Sequence, residues 1–205
     1  MSNTKINAAA INMKGEERFG PVLSRAYNLF ALGGALGIYR FACKDILSKK
    51  GRFSLLDVGT GPGILPKMLS ADTKRIRIYA VDPSPSMLRI AMRNNKNRES
   101  KFAIGHSQKL PFDAKFDLII SSVSFHHWAH KKESLVYLSK FLKQRGEIRV
   151  YELLKKGRFF DYFVDMHRMN KEELQKAASG TGLAVRSIKI KGGFIRAVYA
   201  RERTI

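Results

Sequence analysis

The chain has 205 residues, of which 44% are hydrophobic and 27% are charged, and these values fit one globular domain with a short extension. The same balance excludes disordered, collagen-like and coiled-coil architectures. The single cysteine, Cys43, leaves no pair for a disulfide or a two-cysteine metal site, which predicts a reducing, cytoplasmic location. The most apolar stretch, residues 26–39, is too short to span a bilayer, so we expect no integral membrane segment, and no secretory signal is recognised.

The charge of the chain is strongly basic. There are 38 Lys and Arg residues against 17 Asp and Glu residues, which gives a formal net charge of +21. This excess favours a polyanionic partner such as RNA, because neutralising phosphates releases counterions. The basic residues are scattered, however, and a solvated basic surface explains them as well. Nucleic acid is therefore one of two interpretations, and the sequence carries no signature of an oligomeric state.

In chain order, the first predicted unit is a helical arm over residues 1–50. Its two helical pieces, residues 21–30 and 36–48, lie on either side of Gly33 and Gly34. The arm either packs on the edge of a sheet or closes over a ligand as a lid. Both interpretations stay open.

Residues 51–205 are predicted to form the main domain. Short apolar runs predict buried parallel strands, and apolar residues at three- and four-residue spacing predict helices between them. The strands are expected at 54–58, 76–81, 101–104, 116–121 and 147–151, and the helices at 64–70, 86–94 and 133–144.

Two further runs, residues 183–190 and 194–201, are joined by Lys191-Gly192-Gly193, which suits an antiparallel hairpin. Together, these elements predict an α/β fold with a doubly wound, Rossmann-like sheet of seven strands. The sheet would be mostly parallel, with the antiparallel hairpin at its C-terminal end and the helical extension at its N-terminus.

The first predicted strand runs into a glycine-rich loop with the sequence LLDVGTGPG, residues 55–63. Glycines let the backbone approach a ligand at the carboxyl end of a strand, where open α/β sheets bind cofactors. The loop lacks the Gly-Lys-Ser/Thr ending of a P-loop, and Ile64 stands where a dinucleotide-binding pattern needs its third glycine. Asp57 would repel a pyrophosphate but suits a cationic, amino-acid-like ligand.

Asp57, Gly59, Gly61 and Gly63 match the first motif of the class I S-adenosylmethionine-dependent methyltransferases, in which an acid stands two residues before a GxGxG loop. The chain resembles that family. The resemblance implies S-adenosylmethionine as the cofactor, bound by these residues and by Thr60 within the loop.

A second match follows the next predicted strand. Asp82 ends that strand, and a carboxylate there can accept hydrogen bonds from both hydroxyls of a ribose. The sequence DPSPSML is similar to the family's DxSxxML, which implies that Pro83 borders the cofactor and that Met87 lies against the adenine. Met87 can equally fill the core on its helix.

Three more segments resemble the family, and two of them, FDLIISSVSFHHW at residues 116–128 and RAYNLF at residues 25–30, resemble its methyltransferase type 11 and quinone-biosynthesis branch. Residues 102–112 are similar to GDAxxLPF, but His106 replaces the Asp that binds the adenine amino group. His106, Ser107 or a backbone group must then do that work. The resemblance also implies that Ser121 lies beside the methionine end of the cofactor and that Tyr27 helps to cover the site.

Catalysis by such a protein needs few groups, because the cofactor already carries the activated methyl group. A general base matters only where the acceptor must lose a proton. His126 and His127 follow the fourth predicted strand on the expected substrate side, and one of them is the candidate base; local packing explains them as well. The spacing of His126 and His130 lacks a third ligand, so no metal site is predicted.

The predicted function is therefore methyl transfer from S-adenosylmethionine to a small-molecule acceptor, with an apolar or aromatic compound as one candidate. An RNA methyltransferase is the alternative that the charge suggests. A cofactor-binding partner subunit or regulator without catalysis is the alternative that the departure at His106 suggests.

Overall fold

The strands of the protein begin and end close to its apolar runs. A computed structural model describes residues 36–70, 74–95, 100–155 and 168–202. Its strands are β1 (Phe53–Val58), β2 (Ile76–Asp82), β3 (Lys101–Ile104), β4 (Phe116–Ser122), β5 (Leu142–Leu153), β6 (Leu183–Lys191) and β7 (Phe194–Arg201). Its helices are α1 (Leu36–Leu47), α2 (Ile64–Leu69), α3 (Pro85–Asn94), α4 (Lys131–Ser139) and α5 (Lys171–Ala178), with a 3₁₀ turn at Phe125–His127.

The seven strands form one sheet in the order β3-β2-β1-β4-β5-β7-β6. Strands β1 to β5 pair in parallel, whereas β7 runs antiparallel to β5 and to β6. This is the predicted doubly wound, Rossmann-like sheet with its C-terminal hairpin, and the prediction is confirmed. The chain order reverses at β1, with β2 on one side and β4 on the other, and such a switch point is where open α/β sheets bind ligands.

Helices cover both faces of the sheet because its central strands are apolar on both sides. Neighbouring residues of β1 divide between two cores: Leu56 packs with α4 and α5, and Leu55 packs with α1 and α2. Strands buried on both faces explain the nearly continuous apolar runs of the sequence.

Helix α1 belongs to the segment predicted as the arm, and it packs on the sheet. Ile38, Ala42 and Ile46 lie one helical turn apart on a single face and are completely buried against the second core. The first predicted helical piece of the arm, and Tyr27 with it, lie outside the described residues.

Two elements differ from their predicted bounds. Helix α4 ends at Ser139, not near residue 144, because Phe116 N donates to Phe141 O at 2.7 Å and Leu142 pairs with Phe116, which draws the chain into β5. Helix α5 was not predicted. Its signal was a capping box, in which the Asn170 side chain accepts from Glu173 N and the Glu173 side chain accepts from Asn170 N.

Within the described segments, no helix has the length and apolar character that crossing a membrane requires. The same segments contain no cluster of three or more His, Cys, Asp or Glu side chains arranged to hold a metal ion.

Candidate functional site

The glycine-rich loop turns at the carboxyl end of β1. Gly59, Gly61 and Gly63 have φ angles of 77°, 54° and 72°, a region that side chains other than glycine rarely adopt. A Cβ on Gly59 would lie 1.9 Å from the Ser124 hydroxyl, so this position also needs glycine for close packing. A Cβ on Gly61 would meet no atom of the described residues within 4 Å, so none of these residues fills that side of the loop.

Asp82 lies at the end of β2, directly beside this loop. Gly61 N donates to its Oδ2 at 2.8 Å, and Ser84 N donates to its Oδ1 at 2.9 Å. Asp82 is 6% exposed, so its carboxylate is held in one orientation at the edge of the crevice. A carboxylate has about four acceptor positions, and bonds from two amides are therefore compatible with further bonds from a ribose.

Asp57 lies below the loop and is buried. Its Oδ2 accepts from Thr60 Oγ1 at 2.7 Å, whereas its Oδ1 has no hydrogen-bond partner among the described residues. Burial raises the pKa of Asp57 to about 7, the Thr60 hydrogen bond opposes this rise, and the charge of Asp82 adds to it. A buried carboxyl oxygen without a partner fits a cationic or hydrogen-bond-donating group of a ligand.

The end of β4 contributes further buried polar groups. The hydroxyls of Ser121 and Ser122 are buried and have no hydrogen-bond partner in the described part of the chain. Val123 follows with a φ of 53°, an unfavourable value for a β-branched residue. Such strain concentrates at functional sites, where the surrounding structure maintains it.

Helix α3 begins beside Asp82. Ser84 caps the helix by accepting from Met87 N at 3.4 Å, and Pro83 is half-buried. Met87 is 1% exposed, so it fills a core position on α3.

The turn after β3 contains the two candidates for the adenine contact. His106 and Lys109 exchange backbone hydrogen bonds, and Nδ1 of the half-buried His106 accepts from Gln108 N at 3.3 Å. Ser107 is buried, and its hydroxyl lies 2.8 Å from the Ser134 hydroxyl of α4. Ser107 therefore joins the turn to α4, and His106 is the more exposed of the two candidates.

Past the end of β4, the buried carboxylate of Glu152 holds His126. The His126 Nδ1 lies 2.9 Å from Glu152 Oε2, and the His126 backbone N donates to Glu152 Oε1 at 3.2 Å. Glu152 is completely buried, and the His126 side chain is 5% exposed. With Nδ1 as donor, Nε2 is the ring nitrogen able to take a proton. The His127 ring lies 4.0 Å from the His126 ring, between centroids.

Sequence reasoning missed Glu152. Its available signal was an acid at the carboxyl end of a buried strand, the position that Asp57 and Asp82 occupy on β1 and β2. Beside His126 lies an open cavity of about 570 Å³, whose charged lining is mostly basic and includes Lys131, Lys132, Lys155, Arg168 and Lys176.

A sheet that reverses at β1, an acid–glycine turn after β1 and a carboxylate that ends β2 match the pattern of the class I S-adenosylmethionine-dependent methyltransferases, which the chain resembles. Residues 56–150 match the family model described as a methyltransferase domain, so this part of the chain is similar to that family. The cofactor of the class is S-adenosylmethionine.

Similar proteins include an uncharacterized methyltransferase of Alkaliphilus oremlandii, 31% identical over 112 residues, which are 54% of this chain and 50% of that protein. A demethylmenaquinone methyltransferase of Thermotoga maritima is 32% identical over 101 residues, 49% of this chain and 43% of that protein. The chain thus spans about half the length of these curated relatives. A SAM-dependent methyltransferase structure from Aquifex aeolicus matches with a TM-score of 0.70 at 18% identity, over 88% of this chain and 98% of that chain, which shows a shared fold.

Proposed function

We propose that the chain transfers a methyl group from S-adenosylmethionine to a small-molecule acceptor. The observation that carries the proposal is the pair of buried carboxylates on either side of the open glycine turn. Asp82 is held by backbone amides at the edge of the crevice, and Asp57 keeps one oxygen without a partner among the described residues. One carboxylate suits a ribose, and the other suits a cationic amino group.

The residues present fit such a cofactor. Asp82 would hold its ribose and Gly61 would lie against it, while Asp57 and Ser121 would face its methionine end. Pro83 and His106 would border its adenine. Bound S-adenosylmethionine supplies a methyl group on a sulfonium that is already activated for transfer.

The chain's own chemical contribution is proton removal from the acceptor. Glu152 accepts from Nδ1 of His126 and thereby directs Nε2 to act as the base. This pair suits an acceptor that loses a proton, such as a phenol or a hydroquinone. The Thermotoga maritima relative is named for demethylmenaquinone, which supports a small aromatic acceptor.

The experiment is incubation of the protein with S-adenosylmethionine carrying a tritiated methyl group and with extract of the source cells. The products are then divided by solvent extraction, nuclease and protease. We expect label in the solvent-extractable fraction with the wild type, and none with a folded His126→Gln variant that still binds the cofactor. Label released by nuclease would instead support the RNA methyltransferase, and tight cofactor binding with no labelled fraction would support a non-catalytic partner subunit.

A further inference from the structure

Two basic clefts lie beside α1 and beside the segment that follows it, whose Lys49 carbonyl accepts from Arg75 of the second cleft. The upper cleft, about 630 Å³, lies between α1 and the β6–β7 hairpin, and its cations are Arg40, Lys44, Lys189 and Lys191. The lower cleft, about 430 Å³, lies at the starts of β1 and β2, and its cations are Arg52, Lys74, Arg75, Arg77 and Lys143. We call these nine residues the basic strip.

Helix α1 connects the two clefts. Its start lies at the carboxyl edge of the sheet, because a Cβ on Gly37 would come within 2.7 Å of the Phe194 ring, and Phe194 pairs with Leu153 at the end of β5. Its other end lies at the amino edge, where the carbonyls of Leu47 and Lys49 accept from Arg75. The basic strip therefore runs from the edge that holds the cofactor crevice to the opposite edge.

The acidic side chains that line the two clefts are already paired with cations. In the upper cleft, Asp45 pairs with Arg149 at 2.8 Å and with Arg196. In the lower cleft, Asp117 pairs with Lys143 at 2.6 Å. Among the described residues, these are the only acids that line either cleft.

The remaining cations other than Arg75 are exposed to solvent. In the upper cleft, all four are exposed, and no described acidic side chain forms an ion pair with any of them. In the lower cleft, Arg52, Lys74 and Arg77 are exposed as well. A row of positively charged side chains along a concave surface attracts a polyanion.

We propose that the basic strip binds the phosphate backbone of a single-stranded nucleic acid, with RNA as the partner. Concave clefts fit a narrow strand, whereas a flat lipid surface cannot reach their floors. The half-buried Phe41 and Phe194 rings, stacked with centroids 6.2 Å apart, line the upper cleft and present aromatic surface to bases. This binding goes beyond the proposed function and does not depend on methyl transfer.

The test is fluorescence anisotropy with a labelled single-stranded RNA of about 20 nucleotides at about 150 mM salt. Two double variants reverse two charges in each cleft: Arg40→Glu with Lys189→Glu in the upper cleft, and Arg52→Glu with Arg77→Glu in the lower cleft. Each should raise the Kd about tenfold or more. Each should also reduce the slope of log affinity against log salt by about 1.4, the contribution of two phosphate contacts to a single strand.

The matched control is Lys132→Glu with Lys171→Glu. This pair makes the same change in net charge at exposed positions of α4 and α5 that line neither cleft. We expect its Kd to stay within about twofold of the wild type. Thermal unfolding confirms that each variant is folded before its binding is compared.

The proposal is overturned if the wild type does not bind RNA at this salt, or if the control weakens binding as much as the strip variants do. It is also overturned if either strip variant binds like the wild type. Vesicles of phosphatidylserine and phosphatidylcholine form a further arm: binding to them without binding to RNA would assign the strip to a membrane surface. DNA of the same length that binds as tightly as RNA would support the phosphate-backbone contact itself.

Discussion

At the scale of single residues, the protonation state of Asp57 in the crevice affects the stability of the protein. Its pKa is raised by burial from 3.8 to about 7, so the folded protein holds this proton more tightly than the unfolded chain does. Stability is therefore lost as the pH rises from about 4 to about 7, and the whole loss is present above that range. The ionised form is the one that suits a cationic ligand.

The Asp57→Asn variant imitates the protonated carboxyl group. We expect it to raise the free energy of unfolding at pH 8 by roughly 2–4 kcal/mol, since a pKa change of this size corresponds to about 4 kcal/mol at most. At pH 4 the gain should vanish. Urea denaturation at both pH values measures it, with Asp113→Asn in an exposed loop as the control. Equal effects of Asp57→Asn at the two pH values would contradict the assigned protonation.

Glu152 and His126 form the second arrangement at this scale. Glu152→Ala leaves two buried donors of His126 unsatisfied, so we expect a loss of roughly 2–5 kcal/mol in unfolding free energy, and a smaller loss for Glu152→Gln, which keeps an acceptor.

If Glu152 positions the base, Glu152→Gln should lower kcat at least about tenfold with little change in KM, and His126→Gln should lower it by about 10²–10⁴. Both values are measured with the acceptor that the labelling experiment identifies. Loss of stability with unchanged kcat in Glu152→Gln would assign a purely structural role to Glu152.

At the scale of elements, two glycines of the turn are needed for different reasons: Gly63 for close packing, and Gly61 for the approach of a ligand. A Cβ on Gly63 would lie 2.7 Å from Asn95 Nδ2 and 2.8 Å from Ala91 Cβ, whereas a Cβ on Gly61 would contact none of the residues that the structure describes. Gly63→Ala should therefore cost roughly 2–4 kcal/mol of stability, and Gly61→Ala only about 1 kcal/mol for its backbone conformation.

The same pair of variants tests where the ligand approaches. Despite its smaller structural cost, Gly61→Ala should weaken binding of S-adenosylhomocysteine about tenfold or more, because its methyl group occupies space that the ligand uses. Denaturation and titration calorimetry measure the two effects. Normal binding by Gly61→Ala would place the ligand elsewhere.

Element boundaries were predictable where local sequence decides them. β3 and β7 have the predicted bounds because turns and polar residues flank each apolar run. The end of α4 was not predictable, since Leu138 and Leu142 keep a helical spacing and only the pairing of Leu142 with Phe116 on β4 moves the chain into the sheet. The capping box of Asn170 and Glu173 is a local sequence signal for the start of α5, so the start of this helix was predictable as well.

At the scale of the whole molecule, Asp45 links α1 to strands β5 and β7. Its Oδ2 accepts from Arg149 and from the Tyr151 hydroxyl, each at 2.8 Å, and its Oδ1 accepts from Arg196. Neither arginine partner could be predicted from the sequence, since Arg149 lies 104 residues away and Arg196 lies 151 residues away. The doubly wound sheet was predictable, because alternating strands and helices leave few other arrangements.

The Asp45→Ala variant should lower the free energy of unfolding by roughly 2–4 kcal/mol, because it leaves two largely buried cations without this partner. Lys155→Ala is the matched control. It breaks an exposed pair with Glu173 at 3.8 Å and should cost less than about 1 kcal/mol. Equal losses in urea denaturation would show that Asp45 does not fasten α1.

The most direct measurement of the central claim is calorimetric titration of the protein with S-adenosylhomocysteine. We predict saturable binding by the wild type, and a loss of roughly 1.5–3 kcal/mol in both Asp82→Ala and Asp82→Asn, the scale of a charge-assisted hydrogen bond. Circular dichroism confirms that both variants are folded. Absence of binding to the wild type, unchanged affinity in the folded variants, or displacement of the ligand by NAD would contradict the account.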